Sequence, residues 1–306
     1  MTGNTLGWVI VAFVLYLLMM IAIGAFYAKG NNNSEDYFLG GRKLNGFVAA
    51  LSAQASDMSG WLLMGLPGAI YLTGVGGDGW IAIGLFIGTT LNWLFIATKL
   101  RRYTIRANNS VTLPTYFENR FHDEKKVLMT VSSITIVVFF LVYCASALSA
   151  GGQLFESVFG IDYHVALTIG ALVVLVYTFL GGFTAVCVTD FIQGMLMLVG
   201  ILAVPLFAYH FLTTGGTTLS AGLEASGADS ANFLNLMKNG DGSNNIVNVI
   251  SGLGWGLGYF GMPHILVRFM AVRDEKEMTK SKATAISWVA LSLGFAVFIG
   301  ILGRAY

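Results

Sequence analysis

Long apolar runs separated by short polar stretches form the main pattern along this chain. Most runs have about 20 residues, the length that a helix needs to cross the hydrocarbon core of a bilayer. Hydropathy therefore predicts eight transmembrane spans, numbered in chain order. They cover residues 7–27, 47–72, 80–97, 127–150, 165–179, 184–209, 246–266 and 283–303.

Span 2 differs from the others because its middle, residues 53–60 (AQASDMSG), is polar. A carboxylate such as that of Asp57 costs about 2.5–3.5 kcal/mol near the bilayer centre. That cost is offset if the carboxylate faces a water-filled cavity, binds a cation or caps backbone groups freed at a helix break. Backbone carbonyls freed at such a break are good cation ligands. We interpret span 2 as a broken helix that holds an ion. The alternative is a packed glycine and serine face with one satisfied Asp.

Span 7 is interrupted as well, because residues 251–263 hold five glycines and Pro263. Such a composition does not form a good straight helix. Interrupted spans at corresponding positions of two halves indicate a transporter binding site. Since spans 2 and 7 are five spans apart, we predict a five-helix repeat whose second copy crosses the membrane in the opposite sense. Span 1 is then an extra leading helix.

Composition excludes several classes of protein. The 306 residues are 56% hydrophobic and 11% charged, with a mean hydropathy of +0.72, whereas soluble domains carry about 25% charged residues. A net charge of +1 argues against nucleic-acid binding. The four histidines show no metal-ligand spacing, and no pair of a nucleophile and a base emerges. We therefore expect neither an enzyme nor a cofactor. No obligate protein partner is evident. Cys144 and Cys187 lie in apolar runs and are predicted to be reduced core residues.

Charge also predicts an orientation. Fifteen of the 17 basic residues lie in segments 28–46, 98–126 and 267–282. The positive-inside rule places these segments in the cytoplasm and the N-terminus outside a plasma (cytoplasmic) membrane. The loop between spans 6 and 7, rich in Gly, Ser, Thr and Asn, is then external. It is either a lid or a flexible connector.

Specific motifs lie at residues 52–53 and 55–69 in span 2, 142–146 in span 4, and 254–261 with 263–265 in span 7. Shorter motifs lie at 39–42, 112–114 and 116–117. Together they resemble the sodium/solute symporter family, and among its members the proline carriers, in order over essentially the whole chain.

The resemblance implies an all-α polytopic membrane protein with an inverted five-helix-repeat transporter fold, broken helices and an incomplete second repeat. A single membrane domain, 1–306, would comprise a leading helix and cytoplasmic loop (1–43), the first repeat (44–210), an external loop (211–245) and the first two helices of the second repeat (246–306). The family's later helices, one of which carries a serine/threonine pair of the sodium site, have no counterpart here. We expect a fragment of a longer protein, with a defective chain as the alternative.

The resemblance also implies a sodium site at the break in span 2. The carbonyls of Ala55 and Met58 and the carboxylate of Asp57 would bind the ion. Ser59 and Gly60 would shape the break. Na+ would then be the coupling ion.

L-proline, a zwitterion with an apolar ring, would be the solute. Aromatic side chains can line the pocket around the apolar ring and stabilise the ammonium group by cation–π contacts of about 0.5–2 kcal/mol each. The alternative is that these aromatic residues serve ordinary packing or an interfacial belt. The residues assigned to the solute by resemblance are Ser56, Trp61, Tyr143, Trp255, Tyr259 and Pro263.

Two further charged residues are candidates for coupling or gating. Asp190 lies in span 6 and would help to gate or release the ion; a helix-start residue close to water is the alternative. Arg42 resembles a family arginine implicated in coupling, and positive-inside charge explains it equally well.

We therefore predict sodium-coupled symport of L-proline into the cell by alternating access. One rival is a symporter for another small organic solute. Others are a transporter-like membrane sensor and a channel. An enzyme is the least favoured class.

Overall fold

The computed structural model describes residues 3–306, and the side chains from residue 7 onward. This part of the chain is helical, apart from connecting segments and two isolated β-bridges, Leu44 with Val272 and Lys238 with Asn244. The α-helices are α1 (Gly3–Ala28), α2 (Ser34–Leu39), α3 (Gly46–Asp57), α4 (Leu66–Thr73), α5 (Val75–Leu91), α6 (Thr98–Arg106), α7 (Leu113–Phe121), α8 (Val127–Phe159), α9 (Tyr163–Thr214), α10 (Leu219–Ala225), α11 (Ser230–Phe233), α12 (Ile246–Trp255), α13 (Pro263–Ala271) and α14 (Glu275–Ala305).

Five helical segments within residues 3–306 are long and apolar enough to cross a membrane. These are Gly7–Ala28, Val75–Arg106, Val127–Phe159, Tyr163–Thr214 and Glu275–Ala305. The fourth has 52 residues and is interrupted at Gly182 (φ 61°, ψ −159°), so it supplies both span 5 and span 6. Shorter apolar helical segments, Trp61–Thr73 and Ile246–Gly261, belong to spans 2 and 7. All eight predicted spans are helical, with an interruption in span 2 and another in span 7.

Both predicted interruptions are present. In span 2, α3 ends at Asp57, and a π-helical turn, Trp61–Gly65, leads into α4. In span 7, a 3-10 segment, Gly256–Gly261, follows α12, and an extended Met262 precedes Pro263 at the start of α13. Proline lacks the N–H that would continue a helix through this point, and glycine lowers the cost of leaving helical geometry.

The chain divides into two compact units, each described separately. The first comprises residues up to Ser52, Leu100–Phe191 and Val267–Arg273. In it, Gly24 of α1 lies so close to α9 that a Cβ there would be 2.9 Å from the Tyr177 backbone. The second comprises Ala53–Lys99, Ile192–Leu266 and Asp274–Tyr306. The assignment of helices to two repeats remains a prediction.

In the second unit, glycines bring α5 and span 7 into backbone contact. A Cβ on Gly84 would collide with the carbonyl of Gly252, and one on Gly88 would collide with the carbonyl of Gly256. Each pair of glycines is spaced i, i+4, as in the small-residue motifs that let membrane helices approach closely. This interface positions the 3-10 segment of span 7 beside span 3.

Gly88→Ala is therefore expected to destabilise the protein, because the two backbones must separate to admit a methyl group. Overpacking of this kind costs about 1–3 kcal/mol. The thermal midpoint of the detergent-purified protein measures the effect. Gly254→Ala is the matched control, because a Cβ at that position of α12 meets no atom within 4 Å. Equal midpoints for the two variants would contradict the interface.

The loop between spans 6 and 7 packs onto the start of α5. The Asn245 amide donates hydrogen bonds to the carbonyls of Gly76 and Leu236, both at 2.7 Å. A Cβ on Gly76 would collide with the carbonyl of Lys238. The loop also contains the short helices α10 and α11. Whether it acts as a lid or as a connector stays a prediction.

Gly76→Ala should loosen this loop without altering α4. Limited proteolysis of reconstituted protein is expected to cut within residues 219–245 at least several-fold faster in the variant, since local opening exposes the backbone. Gly68→Ala in α4 is the control, because a Cβ there meets nothing within 4 Å. Identical cleavage rates for Gly76→Ala and wild type would show that the contact does not hold the loop.

The two cysteines differ in environment. Cys187 is buried, as predicted for a core residue, but Cys144 is exposed. The prediction for Cys144 is wrong because α8 buries only Gly152 of its residues. An apolar run in a membrane helix satisfies a lipid-facing position as well as a core position, so hydropathy alone does not separate the two.

Candidate functional site at the helix breaks

Asp57 joins the two breaks in the second unit. Its side chain is 7% exposed. The Tyr259 hydroxyl, from the 3-10 segment of span 7, donates a hydrogen bond to one carboxylate oxygen at 2.5 Å. The Nε2 atom of His264, at the start of α13, lies 3.9 Å from the other oxygen. A buried carboxylate with polar groups from a second broken helix around it is a chemically suitable place for a small cation.

The backbone opens at the residues predicted to bind sodium. In a regular helix the Ser59 N–H would point to the Ala55 carbonyl; here it donates to the carbonyl of Asp57 at 3.0 Å. Ser59 Oγ accepts a long hydrogen bond, 3.4 Å, from the Trp61 N–H. Met58 is buried, and Gly60 is exposed beside it. Ala55 and Asp57 thus lie on the last turn of α3 and Met58 directly follows it, where the backbone leaves the helical pattern.

The aromatic residues assigned to the solute lie in different places. Trp61 and Trp255 stack with ring centroids 5.9 Å apart and an interplanar angle of 23°. Trp255 is 50% exposed, whereas Tyr259 is 3% exposed and directs its hydroxyl to Asp57. The structure therefore brings Tyr259 to the predicted sodium carboxylate. Tyr143 lies on α8 in the first unit, half-buried, with its ring 5.6 Å from that of Phe140.

The remaining solute residues flank the breaks. Ser56 is half-buried in the last turn of α3, one residue before Asp57. Pro263 is half-buried and begins α13, where its fixed φ suits the first helical position.

Asn92 is a site residue that the sequence interpretation missed. It is fully buried at the start of a π-helical segment, Asn92–Ala97, and its side-chain amide donates a 2.8 Å hydrogen bond to the carbonyl of Tyr259. An isolated amide within the apolar span 3 was the available signal, because polar side chains in membrane helices are costly and commonly functional.

Asp190 belongs to a buried polar network in the first unit. The Arg268 guanidinium donates through Nη2 to Asp190 Oδ2 at 2.8 Å and through Nε to Ser52 Oγ at 2.7 Å. The Ser52 hydroxyl donates to the same Asp190 oxygen at 2.7 Å, which closes the triangle. Arg268 is 5% and Asp190 8% exposed. The alternative of a helix-start residue close to water is therefore wrong for Asp190, which lies inside α9.

Arg268 lies in a helix, where the sequence predicts a loop between spans 7 and 8. The sequence placed it in a cytoplasmic loop, but it lies within α13, with its guanidinium 5.7 Å from the centroid of the Phe183 ring. A charge in an apolar helix is tolerated when it is paired and stacked in this way. Neither Ser52 nor Arg268 was assigned a site role from the sequence, because their partners lie on remote segments.

Arg42 is buried in the first unit and adopts a left-handed backbone, φ 52°. Its guanidinium donates to the carbonyls of Met270 and Ser110, each at 2.8 Å, and pairs with Glu35 at 3.4 Å. Burial lowers the pKa of Arg42, and the positive charge of Arg101 lowers it further, whereas Glu35 raises it. Arg42 nevertheless stays protonated, because the ordinary pKa of an arginine is so high. Positive-inside placement alone does not explain such burial.

This fold, with two interrupted spans meeting at a buried carboxylate, is typical of secondary membrane transporters. Residues 37–306 match the sodium:solute symporter family, and the chain belongs to that family.

The chain is similar to sodium/proline symporters from three bacteria. It is 46% identical to that of Salmonella typhimurium, 44% to that of Escherichia coli and 43% to that of Staphylococcus aureus, over 297 residues or 97% of this chain in each case. The chain spans 57%, 57% and 56% of the lengths of those proteins.

A solved structure shares the fold. It shows a substrate-bound outward-open state of a Na+-coupled sialic acid symporter, with a TM-score of 0.77 and 21% identity over 95% of this chain and 60% of that chain. The predicted fold class, an all-α transporter fold with broken helices, is confirmed.

Proposed function

We propose that the chain carries out sodium-coupled symport of L-proline into the cell by alternating access. The observation that carries the proposal is the Asp57 carboxylate, buried at the break in span 2 and contacted by Tyr259 from the break in span 7. Similarity to sodium/proline symporters supports the choice of ion and solute.

In this proposal, sodium binds to the Asp57 carboxylate and to the carbonyls of Ala55 and Met58, while Ser59 and Gly60 keep the backbone open. Oxygen ligands suit a hard cation, and a buried carboxylate gains most from a cationic partner. The Tyr259 hydroxyl is a neutral donor, so it provides a hydrogen bond to the Asp57 carboxylate without neutralising its negative charge. A bound sodium ion would neutralise that charge.

The solute would lie against the stacked pair of Trp61 and Trp255, which presents an apolar face to a pyrrolidine ring and a π-face to its ammonium group. Backbone N–H groups at the opened helices would bind its carboxylate. Ser56 and Pro263 flank the breaks and complete the proposed contacts, and Tyr143 retains its predicted solute role.

Asp190 and Arg42 are proposed to act in coupling and gating. Each holds its partners in a buried ionic network, and such networks can exist in two discrete arrangements. We also propose a plasma-membrane location with the N-terminus outside, on the basis of the basic segments 28–46 and 98–126. One charge moving inward then gains about 2.3 kcal/mol per 100 mV, which drives uptake of the solute.

Uptake of labelled L-proline by vesicles containing the full-length protein tests the proposal. An inward sodium gradient is expected to accumulate proline above its external concentration, and an equal potassium gradient is not. Competition by other small solutes identifies a different preferred solute. Absence of any sodium-driven uptake would favour the sensor alternative, and non-saturable flux would favour a channel.

A further inference from the structure

Asn92 continues a stripe of close contacts between span 3 and span 7. Gly84, Gly88 and Asn92 are spaced four residues apart, so they share one face of the helix. The two glycines touch the backbone of span 7 at Gly252 and Gly256. Asn92 ends the stripe by donating to the Tyr259 carbonyl at 2.8 Å.

The orientation of the Asn92 amide follows from its partner. Only the N–H side of an amide can approach a carbonyl oxygen, so Nδ2 faces Tyr259 and Oδ1 faces away. That oxygen is buried and has no hydrogen-bond partner within the described part of the chain. A buried acceptor without a partner is destabilising, and leucine would fill the same position without that cost. Packing therefore does not explain an asparagine here, but the contact with Tyr259 does.

Tyr259 is held at both ends. Its carbonyl accepts from Asn92, and its hydroxyl donates to Asp57. It lies in the 3-10 segment Gly256–Gly261, whose hydrogen-bond geometry is weaker than that of an α-helix and whose three glycines leave the backbone free to shift. A side chain from span 3 is thus placed to fix the register of this segment.

We propose that Asn92 is a positioning residue for the sodium site: its amide fixes the Tyr259 backbone so that the tyrosine hydroxyl reaches Asp57. Loss of the amide lets the 3-10 segment shift and weakens the support of the carboxylate. This inference rests on the proposed function for the presence of a sodium site, but not on the identity of the solute.

Binding of ²²Na⁺ to the purified full-length protein, without solute, tests the role directly. Asn92→Leu is expected to raise the half-saturating sodium concentration about threefold to tenfold, the effect of losing one hydrogen bond. Tyr259→Phe should produce a similar shift. The double variant should shift no further than Tyr259→Phe alone, because both changes remove the same support.

Asn248→Leu is the matched control, because the Asn248 amide, near the start of α12, donates a comparable hydrogen bond of 2.9 Å to Asn239 Oδ1. Its sodium binding should equal that of wild type. If Asn92→Leu does not yield folded protein, Asn92→Ala removes the donor without crowding and should show the same shift. Additive shifts in the double variant, an unchanged sodium concentration, or no sodium binding by wild type would overturn the proposal. Normal sodium binding together with absent proline uptake would instead overturn only the proposed solute.

Discussion

Asp57→Asn is expected to abolish the sodium stimulation of L-proline uptake. The carboxylate is the only full charge in span 2, is 7% exposed and lies where carbonyl groups leave the helical pattern. Removing one member of a buried charge pair costs about 3–5 kcal/mol, which corresponds to a loss of sodium affinity of more than about 100-fold. Initial rates of uptake over a sodium titration measure the effect.

Asparagine retains an oxygen that can accept from the Tyr259 hydroxyl, so Asp57→Asn should fold normally. Asp78→Asn provides a matched control at the start of α5, where the carboxylate accepts a 2.9 Å hydrogen bond from Thr73. The control is expected to keep full sodium stimulation. Retained stimulation in Asp57→Asn would remove the central assignment.

Arg268→Leu is expected to be the most destabilising single change in the first unit. It leaves the Asp190 carboxylate and the Ser52 hydroxyl buried without the guanidinium that now binds both. Stranding one partner of a buried pair typically costs about 3–5 kcal/mol, whereas replacing both partners by apolar residues is often neutral. The double variant Arg268→Leu with Asp190→Leu should therefore recover most of the lost stability.

The thermal midpoint and the amount of folded protein in membranes report this difference. Arg273→Leu is the control, because the Arg273 side chain is exposed. If the double variant stays as unstable as Arg268→Leu alone, the ion pair does not account for the instability. If it is stable but no longer transports, the pair acts in coupling as proposed.

Local composition was enough to predict the spans and both interruptions. Residues 53–60 are too polar for a lipid-embedded helix, and residues 251–263 contain too much glycine and proline for a straight one. Those signals are independent of tertiary contacts. The structure accordingly ends α3 at Asp57 and starts α13 at Pro263.

Partners could not be predicted in the same way. Ser52 and Asp190 are 138 residues apart and Ser52 and Arg268 are 216 apart, so no short motif links them. A hydropathy profile ends span 7 before Arg268 because the residue is charged. The profile does not reveal that an acidic side chain, Asp190, pairs with Arg268 in the folded protein. The role of Asn92 depends on backbone contacts of Gly84 and Gly88 with span 7, which appear only when the helices are packed.

The central claim is that one sodium ion and the solute occupy linked sites at the two helix breaks. Binding of labelled L-proline to the purified full-length protein, titrated with sodium, measures that linkage most directly. Sodium should raise proline affinity about tenfold or more, proline should raise ²²Na⁺ affinity by the same factor, and Asp57→Asn should remove both effects. Proline binding that is saturable but unchanged by sodium would contradict the claim.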